Sequence, residues 1–131
     1  MNIALGIGCD RGTPATTVAQ CIAEALDACG ATPANVRAVA SIDLKADEAG
    51  LIEAARAQGW TVHFYPAPAL ASVPVPNPSE TVRRHTGTPS VAEAAALLAA
   101  STDMSQLLIE KHKRRGPDGR NATVSIARMP Q

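Results

Sequence analysis

Apolar positions along the first half of the chain alternate between two rhythms. Residues 3–7 form a short apolar run ending in glycine, the pattern of a buried first strand. From Val18 the spacing lengthens: Val18, Cys21, Ile22, Ala25, Leu26 and Cys29 recur every three or four residues, which gives a helix one buried face. Thr13 offers an N-cap oxygen, Pro14 suits the first helical position, and Gly30 supplies a left-handed stop. The same alternation then repeats. Residues 36–42 read as a second strand, 46–58 as a second helix stopped by Gly59, and 60–64 as a third strand. This strand–helix order with short links predicts parallel strands joined by right-handed crossovers.

The second half breaks that pattern. Residues 66–78 carry five prolines, which excludes a central strand or a long helix and predicts an irregular flap over the domain. Ser79-Glu80-Thr81-Val82 opens a short helix that Gly87-Thr88-Pro89 ends. Ser90-Val91-Ala92-Glu93 is a capping-box pattern leading into an alanine-rich helix. Residues 106–113 and 122–128 flank a turn at Gly116-Pro117-Asp118-Gly119, so they predict a hairpin and at least one antiparallel strand. The expected architecture is a single α/β domain over residues 1–131. It has three layers, α/β/α, around a mixed, mostly parallel sheet of about five strands that ends in the hairpin.

Composition narrows the chemistry. The chain is 46% hydrophobic but only 2% aromatic, which suits close packing of helices on a sheet and argues against base-stacking platforms. Its 12 basic and 12 acidic residues leave no global field to steer a polyanion, so nucleic acid is not an expected partner. The start Met1-Asn2-Ile3-Ala4-Leu5 lacks the features of a signal peptide, and no stretch approaches the roughly 18–20 apolar residues of a membrane span. A cytoplasmic location without a membrane partner is expected. Cys9, Cys21 and Cys29 have no CxxC spacing and the three histidines are far apart, so neither a disulfide framework, a metal site nor a cofactor is expected.

Several segments bear candidate chemistry. Gly6-Ile7-Gly8-Cys9-Asp10-Arg11-Gly12 joins a strand to a helix N-terminus, where backbone N–H groups and a positive dipole end converge. It matches neither the dinucleotide nor the P-loop spacing, which leaves either a carboxylate or phosphate site or a turn that merely needs glycine. Cys9 near a helix N-terminus would have a lowered pKa, but no histidine is paired with it by any local signature, so a catalytic role is disfavoured. Asp43, Lys45, Asp47 and Glu48 crowd the turn after the second strand, at the sheet edge where open α/β folds bind ligands. Helix capping accounts for the acids; a lysine is unfavourable at a helix start, which singles out Lys45. Lys111, His112, Lys113, Arg114 and Arg115 form a basic cluster with Arg120 across the turn. It reads either as a solvated hairpin end or, with Lys111 and Lys113 on one face of the strand and His112 on the other, as part of a grip on an acidic ligand by Lys45, Lys111 and Lys113. Glu93 is accounted for by its capping box.

These segments together resemble one family. Gly6-Ile7-Gly8-Cys9 with Gly12-Thr13 is similar to its opening signature, and Ser41-Ile42-Asp43-Leu44-Lys45-Ala46-Asp47-Glu48 with Gly50-Leu51 to its central one. Pro78-Ser79-Glu80 with Val82, Gly87-Thr88-Pro89-Ser90-Val91-Ala92-Glu93-Ala94-Ala95-Ala96-Leu97, Lys111 with Lys113, and Thr123-Val124-Ser125-Ile126-Ala127-Arg128 resemble its later blocks. The family is CobE of cobalamin biosynthesis, similar to the C-terminal domain of CbiG. Asp10 departs from the basic residue expected there; if that residue helps hold an acidic ligand, either Arg11 substitutes or the contact is lost. The resemblance implies binding of a precorrin-type tetrapyrrole, as carrier or accessory protein, with other corrin-pathway enzymes as partners. Its implied substrate-binding positions are Gly8, Cys9, Arg11, Gly12, Thr13, Asp43, Lys45, Glu48, Ser79, Glu80, Lys111 and Lys113; no catalytic residue is assigned. The alternative it implies is a hydrolase that opens a precorrin δ-lactone and releases acetaldehyde, although the chain lacks room for the N-terminal portion of CbiG. An unrelated α/β regulator binding RNA through the hairpin is a third reading.

Overall fold

The computed structural model describes residues 1–76, 78, 79 and 90–130. Its sheet contains β1 (Ile3–Cys9), β2 (Val36–Ile42), β3 (Val62–Tyr65), β4 (Leu107–Arg115) and β5 (Asn121–Arg128), in the order β3-β2-β1-β5-β4. β1 is parallel to β2 and β2 to β3, whereas β5 is antiparallel to both β1 and β4. Four of these strands therefore run one way and β5 alone opposes them. The carboxyl ends of β1 to β4 and the amino end of β5 share one edge of the sheet.

Helices α1 (Ala15–Ala28) and α2 (Ala49–Ala57) cover one face. Val18, Cys21, Ile22, Ala25 and Leu26 of α1 pack with Ile3, Leu5 and Ile7 of β1 and Val124 and Ile126 of β5. On the other face, α4 (Val91–Ala100) covers β1, β2 and β5, with α3 (Ala67–Ala71) packed beside it. Ala96 and Leu97 pack with Ala4 and Ala127, and Val91, Ala94 and Ala95 with Ala40 and Ile42. A helix of mostly alanine suits this place because it brings its backbone down onto the sheet.

Gly6 shows how close that approach is. A Cβ there would lie 1.9 Å from the Ala92 carbonyl oxygen and 2.6 Å from the Ala96 nitrogen. Gly6 and Gly8 therefore belong to β1 and not to a loop, which corrects the sequence-based expectation of one long glycine turn. Glycine inside a strand can mark a close backbone approach as well as a turn. The turn itself is confined to residues 10–13, where Gly12 takes a left-handed φ of 80°.

Three smaller expectations also change. Thr13 does not cap α1, because its hydroxyl donates to the Asp10 carbonyl instead, at 2.7 Å. Ser90 precedes α4 without a side-chain capping bond, and Glu93 is fully buried, so the capping box does not form. α2 begins at Ala49, later than expected, because Asp43–Lys45 forms a separate 3₁₀ turn. Lys45 ends that turn, and the argument that it sits unfavourably at a helix start falls away. The proline-rich flap packs on α4 through Leu70, Val73 and Val75. The expected short helix at residues 79–82, its break at Gly87-Thr88-Pro89, and Glu80 lie outside the described residues apart from Ser79.

Candidate functional site

At the end of β1, Asp10 is a brace. Its Oδ2 accepts the Asn121 backbone N–H at 2.7 Å and the Asn121 side-chain amide at 3.2 Å, tying the turn to the start of β5. The following residues build an anion cradle that the protein fills itself. The Gly12 N–H faces both carboxylate oxygens of Glu48, at 3.2 and 3.1 Å. Arg11 Nη1 lies 2.8 Å from Glu48 Oε1 and 2.7 Å from Asp47 Oδ1, and its Nη2 donates to the Leu44 carbonyl at 3.0 Å. The Arg11 hydrogen bond holds the Asp47 carboxyl below its ordinary pKa. Glu48 is only 3% exposed, so this is a sealed contact between two turns. Gly50 completes it, since a Cβ there would fall 2.1 Å from the Thr13 carbonyl oxygen. The turn after β1 and the turn after β2 are thus locked together, and Arg11 is committed within the lock.

Lys45 and Cys9 lie beside this lock, both half-buried. Burial pushes the Cys9 thiol up to about 11; Lys45, the next influence, pulls in the opposite direction. The thiol is protonated at neutral pH and is a poor nucleophile. Asp43 is exposed at the start of the 3₁₀ turn.

Alternation along β4 divides the basic cluster between the two faces of the sheet. His112 and Arg114 turn toward α1 and hold Glu24, with His112 Nε2 2.8 Å from Glu24 Oε1 and Arg114 Nη1 on Oε2. Those bonds, His112 first, hold the Glu24 carboxyl below its ordinary pKa. Lys111, Lys113 and Arg115 take the opposite face, where no ion pair engages them among the described residues. Register carries that face inward: Lys113 pairs with Thr123, and Thr123 with Gly8 of β1. Arg120 donates to the Arg11 carbonyl at 3.0 Å and pairs with Asp118 at 3.1 Å.

The structure does not gather the three lysines to a point. Lys45 follows β2, whereas Lys111 and Lys113 are on β4, with β1 and β5 between. Three strand spacings amount to about 14 Å. The lysines rim one edge and one face of the sheet at a separation suited to a broad ligand. Ser79 is half-buried beyond the flap. Among the described residues no three His, Cys, Asp or Glu side chains assemble a metal site, and no helix is long and apolar enough to cross a membrane.

Sequence reasoning missed the pairing of Gly12 with Glu48 and of Asp10 with Asn121, because each joins residues remote in the chain. It also missed Ser90, whose buried hydroxyl has no hydrogen-bond partner among the described residues.

Comparison with known proteins gives these features a context. Residues 3–127 match the family described as cobalamin synthesis G C-terminus. A cobalt-precorrin-5A hydrolase of Priestia megaterium is 36% identical over 128 residues, which cover 98% of this chain and 32% of that protein. The chain thus spans about a third of that hydrolase's length. Protein CobE of a Sinorhizobium species is 38% identical over 112 residues, covering 84% of this chain and 72% of the relative. The crystal structure of CobE, a protein from the cobalamin (vitamin B12) biosynthetic pathway, superposes with a TM-score of 0.78 at 33% identity, covering 98% of this chain and 91% of the other. With its whole sheet and nearly its whole length matched, the chain belongs to the cobalamin synthesis G C-terminus family, a family of cobalamin-biosynthesis proteins.

Proposed function

We propose that this chain binds a precorrin-type tetrapyrrole along the carboxyl edge of its sheet, as a carrier or accessory protein. The supporting observation is how the cations are divided. Arg11, Arg114 and Arg120 are committed to the protein's own carboxylates. Lys45, Lys111, Lys113 and Arg115 have no such pairing among the described residues. A disc carrying peripheral acetates and propionates needs separated, uncommitted cations, and about 14 Å between two of them matches a macrocycle better than a small anion. Asp43, Cys9, Gly8 and Thr123 line the surface between them, while Arg11, Gly12, Thr13 and Glu48 hold it in shape. Other corrin-pathway enzymes are the partners to which such a carrier would deliver.

The test is gel filtration of the protein with individual pathway intermediates, following their visible absorption. One intermediate should co-elute with its spectrum unchanged, and Lys45→Ala and Lys111→Ala should each weaken binding about tenfold. Undiminished binding by both variants would remove these lysines from the site.

The second reading is lactone hydrolysis, favoured by the 36% identity that runs through 98% of the chain to a cobalt-precorrin-5A hydrolase. Lactone opening needs an activated water and a stabilised oxyanion. Lys45 could serve the oxyanion, with Asp43 as the base. Acetaldehyde released from cobalt-precorrin-5A by this chain alone would establish that reading over the carrier.

A further inference from the structure

We infer that the amino end of α4 is a carboxylate subsite, with Ser90 as its hydrogen-bond donor and Lys111 and Lys113 as its cations. The inference rests on the tetrapyrrole reading for the ligand's identity but not for the subsite's chemistry. α4 is ten residues long, so its first-turn N–H groups and dipole present a substantial positive end. Ser90 occupies the N-cap position but makes no capping hydrogen bond. Among the described residues its hydroxyl is also without any other partner, although the residue is only 1% exposed. A buried hydroxyl left unbonded forfeits its hydration without compensation, so its persistence at a helix mouth calls for an acceptor.

The surroundings supply the rest of a site. Val91, the first helical residue, lies over Gly8, where a Cβ would come only 3.9 Å from the valine side chain. Gly8 is aligned with Thr123 and Thr123 with Lys113, all on the same face. Glycine keeps the floor low, Thr123 is half-buried upon it, and Lys113 rises two strands from the helix. Lys111 stands beside Lys113 on that face of β4. Glu93, three residues after Ser90, is fully buried and engaged in contacts of its own. An entering carboxylate would turn the Ser90 hydroxyl onto one oxygen and bring the other within reach of a lysine. Phosphate offers the same oxygens, so the probe must separate the two.

The experiment follows backbone amide resonances of the full chain during titration with propionate, inorganic phosphate and cobyrinic acid, a corrin rimmed with carboxylates. The expected result is that propionate and cobyrinic acid both shift the Val91, Ala92 and Glu93 amides, with phosphate weaker. Ser90→Ala and the double variant Lys111→Ala/Lys113→Ala should each weaken cobyrinic acid by about tenfold. Circular dichroism and a thermal melt confirm that the variants are folded. If cobyrinic acid binds and shifts only amides around Lys45, the subsite is overturned and the tetrapyrrole proposal stands. If propionate shifts the α4 amides while cobyrinic acid does not bind, the subsite stands and the tetrapyrrole proposal falls. Stronger phosphate than propionate shifts, or no shift with any probe, would overturn the carboxylate assignment.

Discussion

At the scale of single residues, two positions show opposite uses of missing or misplaced chemistry. Gly6 is demanded by packing: its neighbours are backbone atoms of α4, which cannot move aside as a side chain can. Gly6→Ala should lower stability by about 3 kcal/mol or prevent folding, read as the urea midpoint. Cys9 is the converse, a reactive group held unreactive. Because burial raises its folded pKa to about 11, the folded state retains a proton that the unfolded chain releases near its ordinary value of 9.0. The Cys9 contribution to stability should therefore be constant below pH 9 and fall as pH rises from 9 through 11, with slow alkylation of Cys9 at neutral pH. A urea midpoint that is flat from pH 8 to 11 would contradict this. The sequence pattern puts Cys9 in a glycine turn beside a helix start, which argues for a lowered pKa, whereas the structure makes it the last residue of β1. Its depth in the sheet, which decides the direction, depends on neighbours that spacing does not reveal.

At the scale of elements, periodicity was a good guide wherever one element buries a regular face. Val36–Ile42 matches the expected strand residue for residue, and α1 buries Val18, Cys21, Ile22, Ala25 and Leu26 as its spacing requires. Element ends were less legible, because competing tertiary partners decide them. Thr13, Glu48 and Ser90 all have capping chemistry, yet none caps its helix: Thr13 turns to the Asp10 carbonyl and Glu48 to the Gly12 N–H. The same competition fixes β4, where Glu24 of α1 binds His112 and Arg114. Glu24→Gln should loosen β4 by at most about 1 kcal/mol, since the pair is partly exposed and screened by salt. Its lowered pKa makes this support present above the ordinary carboxyl value and lost as pH falls through the lowered one. Protection factors of the β4 amides at pH 7 and pH 3, with intrinsic exchange divided out, read that difference. The fate of the basic cluster was half legible: alternation separates Lys111 and Lys113 from His112, but only the fold shows that the second group is committed to Glu24.

At the scale of the whole molecule, the charged residues form a frame and a rim. Arg11 with Asp47 and Glu48 frames two turns, whereas Lys45 and the β4 lysines remain as rim. If the chain binds a tetrapyrrole as proposed, adding salt should weaken that binding steeply while leaving the melting temperature nearly constant, which titrations at low and high ionic strength would measure. The candidate edge was readable because strand ends in an open α/β sheet converge there. The span between Lys45 and Lys113 was not readable, since it depends on β5 being inserted between β1 and β4. That insertion also governs how the molecule can come into being. Ile3 pairs with Arg128, so β1 must wait for β5 before its open side is covered. A chain emerging from the ribosome can assemble β1, β2 and their helices early, yet it carries an unpaired apolar edge until residues 121–128 are free. Such long-range closure makes for slow folding, and nascent chains halted before Asn121 should aggregate or recruit chaperones where chains extended past Arg128 do not.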